Sequence, residues 1–146
     1  MNRFKRGIYL FLIVILYANT GCQKNTTCNG VPNVAVSFSI NVLLPSYSPL
    51  TAIGGSMEVS GGYDGIAIYR QALDQFNAFD CCCTYDGASN GKAIVAIQSN
   101  KITATCPVCG SVFLLTDGSV SHGPATCGLK PYVTSYDGVS TVYISN

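Results

Sequence analysis

Cysteine carries most of the chemistry open to this chain. The sequence holds eight cysteines and one histidine in 146 residues. Cys81, Cys82 and Cys83 stand side by side, and Cys106 and Cys109 belong to a Cys-Pro-Val-Cys-Gly run. Clustered thiols suit soft and borderline metal ions, which prefer sulfur donors. In an extended chain alternate side chains point to opposite faces, so Cys81 and Cys83 share a face and Cys82 takes the other. Cys81, Cys83, Cys106 and Cys109 then offer four thiolates, enough for a two-iron two-sulfur cluster or for tetrahedral zinc. The Cys106 run also has the shape of a zinc or rubredoxin-type knuckle. The metal-free alternative is a disulfide from Cys83 to Cys106 or Cys109, with Cys28 and Cys127 forming a second bridge or packing as small apolar residues. A thioredoxin-like use of Cys106 and Cys109 is disfavoured, because strand-rich sequence and not a helix follows them. His122 reads as a loop residue, and no nucleophile–histidine–acid set is legible. A catalyst is therefore not expected.

The elements that must position these thiols are strands. Gly, Ser, Thr, Val, Ile and Tyr dominate after the first 21 residues, which is the vocabulary of strands and turns. Val34, Val36, Phe38, Ile40 and Val42 alternate with smaller or polar residues, which predicts a strand with one apolar face. A break at residues 45–49 follows, then a short strand at 56–60 between Gly54-Gly55 and Gly61-Gly62. Residues 65–70 and 76–80 read as strands, the second running into the cysteine triplet. Residues 85–92 form a turn-rich loop. Residues 93–98 and 101–106 form a hairpin across Ser99-Asn100. A strand at 112–115, a tight turn at 116–119, a breaker at 123–125 and a closing hairpin around Asp137-Gly138 complete the chain. No long helix and no internal repeat is visible. The paired glycines are turns and not phosphate loops, since no strand–glycine–helix context surrounds them.

The first 21 residues read as an export signal. Arg3, Lys5 and Arg6 precede an unbroken apolar stretch at residues 8–18, which is too short for a stable bilayer-spanning helix. Asn19-Thr20-Gly21-Cys22 resembles a lipobox, which implies cleavage before a lipidated Cys22. Asn19 departs from the usual branched residue of that motif. Acyl chains on Cys22 would suffice to anchor the protein to a membrane. Residues 22–33 are a polar tether, and residues 34–146 are one domain. The chain has 8 Lys and Arg against 7 Asp and Glu. Three of the bases lie in the signal, so the mature chain has a net charge near −2. Nothing basic remains to grip nucleic acid.

From Gly65 to Ile144 the order of motifs resembles the Rieske family. Asp80, two residues, Cys83, Thr84 and Tyr85 match its first loop, with Tyr85 at the position of a histidine. Cys106-Pro107-Val108-Cys109-Gly110 matches its second loop, with Cys109 where the second histidine stands. Phe113, the Asp117-Gly118 turn, Gly123-Pro124-Ala125 and Leu129-Lys130-Pro131-Tyr132 follow in the family's order. The resemblance is nearer still to bacterial Rieske-like lipoproteins in which the histidine positions are degenerate. It implies an all-β fold, an antiparallel sandwich or barrel, with a small cysteine-loop lobe at about residues 81–127. It further implies a two-iron two-sulfur cluster at Cys83, Cys106 and Cys109, completed by Cys81 or Tyr85, with zinc or no metal as alternatives. Electron transfer to a partner protein, or redox sensing, would follow. A standard centre with two histidines cannot form, because His122 lies outside both loops. An all-thiolate cluster would have the lower potential. The competing expectation is a binding or structural lipoprotein that kept the scaffold and lost the cluster.

Overall fold

A computed structural model describes residues 30–87, 91 and 93–146. The signal, Cys22 and Cys28 lie outside them. Among the described residues, ten antiparallel strands form two sheets: β1 (Ser37–Asn41), β2 (Ser56–Val59), β3 (Ile66–Arg70), β4 (Phe76–Asp80), β5 (Ala96–Ile97), β6 (Thr103–Thr105), β7 (Val112–Leu114), β8 (Val120–His122), β9 (Pro131–Tyr136) and β10 (Thr141–Ser145). The larger sheet has the order β1-β10-β9-β4-β3-β2, and the smaller one the order β5-β6-β7-β8. The fold is all-β, as expected.

Two cores explain the hydrophobic pattern. Val36, Ile40 and Val42 pack with Ile66, Ile68, Val142 and Ile144 in the larger core. The alternation at residues 34–42 supplies one wall of it, although Val34 itself is exposed. β3 and β4 are buried on both faces, which is why residues 66–69 carry no clear alternation. Ile66, Ile68, Phe76 and Ala78 face the larger core, while Ala67, Tyr69 and Phe79 face the smaller sheet. The second core, between β3–β4 and the smaller sheet, contains Cys81, Cys83 and Cys106 among apolar residues such as Phe113 and Leu115. The cysteine lobe is thus set on the back of the larger sheet.

The expected break at residues 45–49 is present, and two other local expectations need correction. The break at residues 45–49 is a 3-10 helix, Pro45–Leu50, which buries Leu50. Two prolines fix φ and withhold N–H donors, so the segment could not continue β1. The hairpin strands after residue 93 are shorter than expected, with Ala96 opposite Thr105 and Ile97 opposite Ala104. His122 ends strand β8 and is not in a loop, with Val112 as its cross-strand partner. The sequence 120–122 is too short and too polar to announce a strand, and pairing with β7 decides it.

Candidate metal centre

Asp80 begins the site. It is fully buried at the end of β4. Its carboxylate accepts the Tyr132 hydroxyl at 2.6 Å, the Tyr63 amide at 2.7 Å and the Cys82 amide at 2.9 Å. One acid therefore ties β9, the turn at residues 61–65 and the start of the cysteine loop together. Gly62 is required there: its φ is +63°, and a Cβ would come within 2.5 Å of both Asp80 Oδ2 and the Tyr132 hydroxyl.

The triplet continues the extended path of β4. The Cys81 carbonyl accepts the Val95 amide at 2.7 Å, and the Cys83 amide donates to the Ala93 carbonyl at 2.9 Å. Cys81 and Cys83 consequently face the smaller sheet, and Cys82 turns to the other side, beside the Asp64 carboxylate. The chain then turns tightly, with the Gly87 amide donating to the Cys83 carbonyl at 2.7 Å. This turn brings the Asp86 and Tyr85 amides onto the Cys83 sulfur. Thr84 Oγ1 donates to the Cys127 carbonyl at 2.6 Å and ties the turn to the segment between β8 and β9.

The second loop is a knuckle between β6 and β7. The Cys106 amide donates to the Ser111 carbonyl at 2.9 Å, and the Gly110 amide donates to the Cys106 carbonyl at 3.0 Å. Gly110 takes a left-handed conformation, φ +74°, that closes the turn. Both cysteines of the knuckle then point towards the first loop.

Cys83, Cys106 and Cys109 meet, with their three sulfurs all within 4.8 Å of one another. The Cys83 and Cys109 sulfurs are 3.6 Å apart. Cys83 and Cys106 have no exposed surface, whereas Cys109 is partly open to solvent. Burial pushes the Cys83 thiol up to about 12, against the pull of the Asp86 and Tyr85 amides. Burial acts in the same sense on Cys109, but hydrogen bonds from Ser111, Cys106 and Cys83 outweigh it and hold that thiol below its ordinary value. The Ser111 hydroxyl lies 3.0 Å from the Cys109 sulfur and accepts the Ala125 amide at 2.9 Å. Ser111 is fully buried. It is a site residue that the sequence reading missed; the only signal was a small polar residue two places after Cys109.

The other sequence candidates are placed apart. Cys81 shares the face of Cys83, as expected, but is not part of the three-sulfur group. It instead lines a pocket of about 540 Å³ with Glu58 and Asp64. Burial, with Glu58 and Asp80 nearby, pushes its thiol up to about 12. Tyr85 is 47% exposed, and its amide serves Cys83. Cys81, Cys82, Cys83, Cys106 and Cys109 are free thiols, so no disulfide joins the two loops. Cys127 is disulfide-bonded.

Soft-metal chemistry suits this donor set. A two-iron cluster fits it less well. Rieske ligands divide into two pairs, one pair per iron. On the family resemblance Cys83 and Cys109 would serve different irons, yet their sulfurs are 3.6 Å apart. The three thiols surround one point and are not spread across a two-iron core.

No protein-family model matches the sequence, and no curated protein matches it. Solved structures do match. The plasma-membrane Rieske protein of the cyanobacterium Synechocystis PCC 6803 superposes with a TM-score of 0.54 at 19% identity, covering 78% of this chain and 100% of that one. The ferredoxin of carbazole 1,9a-dioxygenase from Nocardioides aromaticivorans IC177 superposes with a TM-score of 0.50 at 14% identity, again covering 78% and 100%. The chain therefore has a Rieske-like fold, with a cysteine group in its small lobe.

Proposed function

We propose that this protein is an exported lipoprotein, anchored to the cell envelope through Cys22, whose Rieske-like domain binds a metal at Cys83, Cys106 and Cys109. It acts in electron transfer or redox sensing and is not a catalyst. The observation that carries this reading is the convergence of three thiols from two loops within 4.8 Å. A redox-active metal would supply a one-electron change. The chain holds it between two loops, shields it on the Cys83 and Cys106 side, and leaves the Cys109 side accessible to a partner protein. The Tyr85 and Asp86 amides and the Ser111 hydroxyl are placed to stabilise thiolate charge. One structural neighbour is a dioxygenase's ferredoxin, which supports a protein redox partner.

The rival within this reading is the cluster implied by the family resemblance, two irons and two sulfides with Cys81 or Tyr85 completing the ligands. The test is the metal content of protein purified from membranes without exposure to air. Metal should be retained in Cys81→Ser and lost in Cys106→Ser. Metal-free wild-type protein would refute the reading. Incorporation of labelled palmitate should be abolished by Cys22→Ser; labelling that survives would refute the anchor.

A further inference from the structure

We infer that the centre holds a single thiophilic divalent ion on three thiolates, ferrous iron where the site transfers electrons and redox-inert zinc where it does not, with its fourth position open to an external ligand. The inference rests on the metal-binding reading above and narrows it. A tetrahedral ion with metal–sulfur bonds of about 2.3 Å places its sulfurs roughly 3.8 Å apart. The Cys83 and Cys109 sulfurs, at 3.6 Å, already have that spacing. The third sulfur, from Cys106, lies within 4.8 Å of both.

The convergence is built into the loops. Ser111 holds the Cys109 sulfur at 3.0 Å and is itself fixed by the Ala125 amide at 2.9 Å. The Cys106 backbone is closed on Ser111 and Gly110. Cys83 is set by its hydrogen bond to the Ala93 carbonyl. An all-sulfur set selects zinc or iron over magnesium or calcium, which take oxygen ligands. Among the described residues, no fourth cysteine, histidine or carboxylate joins the group. The partly exposed Cys109 marks where the fourth ligand, a water or an external thiolate, would enter.

The experiment uses the full chain purified from membranes in detergent, stripped of metal and titrated anaerobically with cobalt(II). Uptake should saturate at one ion per chain with a sulfur-to-cobalt absorption band, and zinc should displace it. The band should be lost in Cys106→Ser, which leaves only two of the three thiolates, and stay unchanged in Cys81→Ser. Iron and inorganic sulfide at two each per chain, in protein as isolated, would overturn the single-ion inference and leave the metal-binding reading standing. Failure to bind cobalt, zinc or iron at all would overturn both.

Discussion

Replacing Tyr132 with phenylalanine removes one oxygen atom and little else. That oxygen donates at 2.6 Å to Asp80 Oδ2 in a fully buried site. A hydrogen bond to a charged group is worth about 1.5–3 kcal/mol. Asp80 Oδ2 keeps the Tyr63 amide at 2.7 Å, so the carboxylate is not orphaned and the lower half of that range applies. The expected loss is about 2 kcal/mol, or a fall in Tm of about 5–10 °C for a domain of this size. Urea unfolding of chain lacking the signal would measure it, with unchanged m-value. The same substitution in an Asp80→Asn background should cost clearly less, because the two groups act as a pair. A loss below about 0.5 kcal/mol, or equal losses in the two backgrounds, would refute the claim that this contact ties β9 to the cysteine loop.

Other consequences are equally specific. In metal-free protein near neutral pH, iodoacetamide should modify Cys109 first, since its thiol is lowered and partly exposed. Cys81, Cys82 and Cys83, pushed up to about 12 by burial, should react only on unfolding, as peptide mass mapping would show. Gly118→Ala should cost about 1–3 kcal/mol, because φ is +75° and the new methyl would meet the Phe79 ring at 2.6 Å. Asp137 accepts the Val139, Ser140 and Thr141 amides, which hold its carboxyl at about 2, below the usual 3.8. Its stabilisation of the β9–β10 turn is therefore present above about pH 4 and lost as pH falls towards 2. A carboxyl NMR titration should show this depressed midpoint, and a normal value would contradict the turn geometry.

The sequence made the strands legible wherever one face alone is buried, as at residues 34–42. β3 and β4 were legible as apolar runs, but their burial on both sides comes from the second sheet. β8 was hidden because its pairing with β7, and not its composition, makes it a strand. At the centre, the alternation of Cys81, Cys82 and Cys83 was readable from strand geometry, and the Cys106 knuckle from its glycine. Strand geometry put Cys81 and Cys83 on one face without choosing between them; the choice of Cys83 came from the family resemblance alone. In the fold the Cys83 sulfur lies 3.6 Å from that of Cys109 in the knuckle, while Cys81 stays beside Gly65. Ser111 was missed for a related reason. A buried serine is informative only once its neighbours, Cys109 and Ala125, are known.

The most direct measurement is an anomalous-difference map at the metal absorption edge, from crystals of protein purified without added metal or air. One peak is expected, within bonding distance of the Cys83, Cys106 and Cys109 sulfurs and away from Cys81. A map with no peak there, or with its peak among other residues, would contradict that expectation.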